Sequence, residues 1–164
     1  MSRFSYRQTY EKISAPFRAS ENAMHMVRLA DQILTYMMYV LYPVLLVILF
    51  VTHDAHLLKA VLIPGTGFVL VTLIRRLINR PRPYAAYQIP AIIHKDKQGE
   101  SMPSRHAFSA AVISMAFYAV YPAVGIILLV LSALECVIRV IGGVHYPEDV
   151  IIGYLAGVIM GMFI

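Results

Sequence analysis

Five apolar runs dominate the chain, at about 33–52, 57–74, 106–121, 123–141 and 148–164. A helix needs about 17–25 such residues to cross a bilayer. The pattern predicts an all-α integral membrane bundle of about five crossings, built as one domain over 1–164. The second run continues through Arg75 to about Ile78, and Pro64-Gly65-Thr66-Gly67 should kink it. The third and fourth runs are near the lower limit and meet at a very tight turn, Tyr121-Pro122. Ala107, Ser109, Ala110 and Ala111 would let the third pack closely against a neighbour. The segment 79–105 is the only long polar connection, and Pro81, Pro83, Pro90 and Pro103 stiffen it.

Counting crossings places the charges. Let side X hold the N-terminus. Five crossings bring the 79–105 loop and the 139–149 turn to the same side. The 53–56 and 121–123 turns and the C-terminus fall on the opposite side. Of the 14 Lys and Arg residues, only Lys59 is then away from side X. The unusual polar groups therefore converge at one end of the bundle.

Composition agrees with this setting. The chain is 59% hydrophobic and 14% charged, against about 25% charged in soluble domains. The single cysteine, Cys136, excludes a disulfide framework within the chain and reads as a small buried hydrophobe. The N-terminus lacks the pattern of a signal peptide. Residues 1–30 are instead polar and basic, with Arg3, Arg7, Lys12, Arg18 and Arg28 against Glu11 and Glu21.

Three clusters carry candidate chemistry. The first is Arg75-Arg76-Leu77-Ile78-Asn79-Arg80-Pro81-Arg82-Pro83. Alone, it reads as the snorkelling basic end of a membrane helix, but the arginines are dense enough to form an anion site. The second is Pro103-Ser104-Arg105-His106. Ser104 is a natural N-cap, and the free amides behind it attract anions. An ordinary helix start with an interfacial histidine fits equally well. The third is Arg139 to Asp149. Pro147 suits the first helical turn, with His145 just before the helix and Asp149 one turn inside. Side chains lean toward the helix N-terminus, so the Asp149 carboxylate can reach the His145 ring. It would fix the tautomer and leave the other nitrogen as nucleophile or base. Glu135 is spaced to pair with Arg139.

Arginines, two helix N-termini, two histidines and a carboxylate behind one of them match the needs of phosphoryl transfer. No carboxylate cluster suits magnesium and no Cys/His set suits zinc. The expectation is a metal-free site with no cofactor and no nucleic-acid partner.

Together the clusters resemble the three-part signature of the type 2 phosphatidic acid phosphatase family. Its first motif is Lys, six residues, Arg-Pro; here Arg75 takes the Lys place and Arg82-Pro83 closes it. Its second is Pro-Ser-Gly-His, here Pro103-Ser104-Arg105-His106. Its third is Ser-Arg, five residues, His, three residues, Asp; here Arg139, His145 and Asp149 match, with Ile138 in the Ser place. The resemblance implies that His145 forms a phosphohistidine, Asp149 orients it and His106 protonates the leaving lipid oxygen. It implies that Arg75, Arg82, Ser104 and Arg139 hold the phosphate. Arg105 replaces a glycine beside that site and could reach a second phosphate.

The family usually has six crossings. Residues 1–30 would stand in for the first as an interfacial amphipathic helix, with Ile13, Met24 and Val27 toward lipid. The expected substrate is a membrane lipid phosphate or pyrophosphate: undecaprenyl pyrophosphate, phosphatidylglycerophosphate or phosphatidic acid. The resemblance implies a bacterial cell membrane with the site on the extracytoplasmic side. The positive-inside rule alone would place side X in the cytoplasm. Two other readings remain open: an anion or proton pathway lined by the same residues, and a weakened member of the family that binds lipid headgroups.

Overall fold

The computed structural model describes residues 3–94 and 96–164, with side chains from residue 6 onward. Lys95, one of the basic residues assigned to side X, and the side chain of Arg3 lie outside that description. Seven helices form among the described residues: α1 (Arg3–Arg18), α2 (Glu21–Val51), α3 (Leu57–Ile78), α4 (Pro83–Tyr87), α5 (Arg105–Val120), α6 (Pro122–Ile141) and α7 (Pro147–Gly161).

The apolar runs become α2, α3, α5, α6 and α7. Three segments are long and apolar enough to cross a membrane: Glu21–Val51, Leu57–Tyr87 (α3 with the short α4) and Pro122–Ile141. Their outward faces carry Val40, Val47, Phe50, Leu58, Val69, Ile127 and Val130, all largely exposed. So much exposed hydrocarbon fits lipid, not water. The chain is an integral membrane helical bundle.

α5 and α7 differ from the other three. Their 16 and 15 residues span roughly 24 Å and 22 Å at 1.5 Å per residue, short of a hydrocarbon core of about 30 Å. α5 is apolar all round, and every residue from Ala110 to Phe117 is buried. A helix with that pattern belongs in the centre, and α5 packs against α2, α3, α6 and α7. The close approach foreseen from its small residues is matched by glycines on α7. A Cβ at Gly153 would lie 2.4 Å from Ser104 O, at Gly157 2.5 Å from Phe108 O, and at Gly161 2.2 Å from Met115 Cβ. The two helices therefore touch backbone to backbone, which draws their N-termini together on side X. Gly157→Val should lower thermal stability in detergent by about 1–3 kcal/mol of overpacking. Gly65→Ala is the control, because nothing lies within 4 Å of a Cβ there. Equal melting temperatures for the two variants would show that this contact does not matter.

The N-terminal expectation needs correction. The first apolar run was placed at 33–52, but α2 begins at Glu21, capped by Ser20 accepting from Ala23 N at 3.1 Å. The separate N-terminal helix is therefore Arg3–Arg18, not 1–30. Val27, expected toward lipid, is 8% exposed and packs with Ile92, Ile93, Ile138 and Val144. Met24 joins the edge of the same cluster, while Ile13 is exposed. Pro64 lies within α3, which runs from Leu57 to Ile78.

Candidate active site

α3 ends on side X at Asn79, whose positive φ of 42° stops the helix, a conformation asparagine tolerates. Helix phase separates the adjacent arginines: Arg75 is 4% exposed, and Arg76 faces outward. The loop then folds back on itself, with Arg82 N donating to Gln98 O at 2.8 Å and Ser101 N to Arg80 O at 2.9 Å. This brings Ser101 and Arg80 beside the start of α7. From the other direction, α6 delivers Arg139. Gly143, with φ of 79°, turns the chain into His145. The backbone of Ser104, which caps α5, donates to Asp149 O at 2.8 Å. That bond ties the second and third clusters together.

His145 and Asp149 are fully buried. The His145 Nδ1 atom lies 3.6 Å from Asp149 Oδ2, so the expected pairing is present but longer than a hydrogen bond. The carboxylate is held by other donors. Arg80 Nη1 donates to Oδ1 at 2.9 Å. Tyr146 N donates to Oδ2 at 3.1 Å, and the Ser101 hydroxyl donates to the same oxygen. Arg80 also lies over the Tyr146 ring, 3.8 Å from its centroid. The far nitrogen of His145, Nε2, is buried and has no hydrogen-bond partner among the described residues. Burial pulls the imidazole down to about 4; Arg82 and Arg139 push the same way, and Asp149 opposes them. The ring is therefore neutral at pH 7 and keeps a free lone pair.

The arginines around this ring divide into two kinds. Arg139 is balanced by acids: its Nε is 2.9 Å from Asp31 Oδ1 and its Nη2 3.4 Å from Glu135 Oε1. Thr35 accepts from the same Nη2 at 3.0 Å. Arg75 and Arg82 reach only backbone carbonyls. Arg75 Nη2 donates to Glu100 O. Arg82 donates to Gly99 O at 3.2 Å and Val144 O at 3.4 Å. Neither has a carboxylate within ion-pair distance among the described residues, although Arg82 is only 7% exposed. Two buried, like-charged forks with no direct ion pair among the described residues are costly on their own and are relieved by an anion. Arg75 lies within electrostatic reach of Arg82, Arg105 and Asp149, so the site is continuous.

Arg105 and His106 face a neighbouring cavity of about 140 Å³ among α2, α3, α5 and α6, shared with Thr35, Tyr39, Phe68 and Glu135. The Arg105 guanidinium sits over the Phe68 ring, 5.0 Å from its centroid. The Ser104 hydroxyl oxygen accepts from Ala107 N at 3.4 Å, capping α5. Among the described residues, no three His, Cys, Asp or Glu side chains group as a metal site.

Sequence reasoning left out Asp31, Thr35, Arg80 and Ser101 as site residues. Arg80 had a signal, since it stands in the arginine-rich cluster. An acid in the interior of an otherwise lipid-exposed helix could have pointed to Asp31. Ser101 had none.

Two solved structures share this fold. The crystal structure of Aquifex aeolicus LpxE superposes with a TM-score of 0.72 at 23% identity, covering 95% of this chain and 92% of that one. A PAP2-type phosphatidylglycerolphosphate phosphatase from Bacillus subtilis superposes with a TM-score of 0.60 at 21% identity, covering 98% and 92%. At these identities the likeness establishes the fold. No curated protein sequence matches. The family model of the PAP2 superfamily matches residues 56–164, about two thirds of the chain, and the chain belongs to that superfamily.

Proposed function

We propose that this protein is a metal-independent membrane lipid phosphatase working through a phosphohistidine. The carrying observation is the buried Nε2 of a neutral His145, unpartnered among the described residues, with buried Arg82 acting on the ring, Arg75 within electrostatic reach of Arg82, and neither of these arginines ion-paired to a carboxylate. An anion binding to Arg75 and Arg82 would lie next to a lone pair that no other group occupies. In this reading Nε2 attacks phosphorus in line, and the bond from phosphorus to the lipid oxygen breaks. His106 gives its proton to that oxygen. Water then attacks the phosphohistidine, losing its proton to His106 and releasing phosphate. Arg139 and the first-turn amides of α5 add positive potential on the phosphoryl oxygens. The PAP2 membership and the lipid-phosphatase neighbours support the substrate class. A diphosphate headgroup would place its second phosphate toward Arg105. Several of the arginines on side X serve the site instead of topology, so the positive-inside rule is discounted, and the family membership supports an extracytoplasmic active site in a bacterial membrane.

The test is phosphate release from a panel of lipid phosphates in detergent with excess EDTA. Turnover is expected to persist, since arginines supply the charge that magnesium supplies elsewhere. Loss of activity restored by magnesium would overturn the mechanism.

A further inference from the structure

A directly paired His–Asp couple would need no third group. Here a hydroxyl lies against both partners. Ser101 is fully buried, and its Oγ donates to Asp149 Oδ2 while lying 3.4 Å from His145 Nδ1. Simple accounting of hydrogens follows. A serine hydroxyl has one hydrogen to donate, and an ionised carboxylate only accepts. Asp149 already accepts from Arg80 and Tyr146 N, an environment that favours the charged carboxylate. Ser101 must therefore give its hydrogen to Asp149. Its oxygen then faces Nδ1 only as an acceptor. A neutral imidazole bears one hydrogen, so that hydrogen belongs on Nδ1, and Nε2 keeps its lone pair.

From this arrangement we propose that Ser101 is the positioning residue that sets the His145 tautomer, with Arg80 holding Asp149 in the acceptor role. The proposal rests on His145 being the nucleophile, and it places the control of that nucleophile in the loop ahead of α5. Ser101 never touches phosphate; it acts through Asp149 and His145. Without its hydroxyl, the acceptor left to Nδ1 is a carboxylate oxygen at 3.6 Å, beyond hydrogen-bond range, so the preference for hydrogen on Nδ1 weakens and part of it moves to Nε2. Molecules in that tautomer have no lone pair to attack with.

The test compares Ser101→Ala and Ser101→Thr with the wild type. Ser101→Ala should lower kcat about 10–100-fold, the range seen when partners that orient a histidine are removed. KM should stay within about twofold, because substrate binding is untouched. Ser101→Thr keeps the hydroxyl and should recover most of the loss. Nitrogen NMR of the imidazoles, with His145 assigned by comparison with His145→Ala, reads the tautomer without any turnover. The expected result is hydrogen on Nδ1 in the wild type and Ser101→Thr, and a mixture in Ser101→Ala. Hydrogen on Nε2 in the wild type, or an unchanged tautomer in Ser101→Ala, would overturn the proposal even in an active phosphatase. The expected tautomers in an inactive protein would instead sink the phosphatase reading and leave this one standing. If Ser101→Ala does not fold, the wild-type tautomer still decides the matter.

Discussion

His145→Ala should reduce turnover of any lipid phosphate by roughly 10⁴-fold or more, the scale on which removal of a covalent nucleophile acts. His106→Ala should be milder on p-nitrophenyl phosphate than on a lipid phosphate, since proton donation matters least when the leaving oxygen is already stable as an anion. Equal losses on both substrates would contradict the assigned roles. Burial also sets the pH dependence. His145 is held neutral down to about pH 4, so its lone pair is present above that pH and is lost as pH falls through it. After correction for substrate ionisation, the acid limb of kcat/KM that belongs to His145 should lie near pH 4. A limb that vanished in His145→Ala but lay near pH 6.5 would show a solvated imidazole instead.

The second large effect separates two arginines. Arg82→Ala should lower kcat/KM by about 10³-fold or more, as expected for a guanidinium that stabilises a phosphoryl transition state. Arg82→Lys should recover little. The Arg82 fork is fixed between Gly99 O and Val144 O, and an ammonium cannot reproduce that planar geometry. Arg75 differs. It reaches a single carbonyl, Glu100 O, and occupies the place where the resembled motif has lysine. Arg75→Lys should therefore remain within about tenfold of wild type, since the point charge is kept. Equal sensitivity of both positions to lysine would remove the distinction.

Much of the bundle was legible because apolar runs report lipid-facing helices directly. The limit was α2. Residues 21–32 include Glu21, His25, Arg28 and Asp31, so the hydrophobic pattern stops there while the helix does not. What sustains the helix is tertiary: Val27 packs against the loop residues Ile92 and Ile93, and Asp31 pairs with Arg139. Neither contact has a local sequence signal. The glycine spacing of four in α7 was readable and went unused, although it is what brings the starts of α5 and α7 together.

In the site, the spacing of His145, Pro147 and Asp149 gave the correct helix start. The carboxylate does lie by the ring, at 3.6 Å, but the spacing gave no sign of the serine that lies against both partners. A lone serine between Glu100 and Met102 has no periodicity to betray it. Its role comes from the loop pairing of Ser101 N with Arg80 O. The two buried arginines illustrate the same limit. Sequence showed a dense basic cluster, but which members turn inward depends on the phase of α3 and the turn at Asn79.

The central claim is that phosphate passes through His145. Rapid quenching of the enzyme during turnover of a radiolabelled lipid phosphate, followed by peptide mapping, tests it most directly. The expected result is acid-labile, alkali-stable label on the peptide containing His145, absent from His145→Ala. Turnover that continues in His145→Ala, or label carried on another residue, would contradict it.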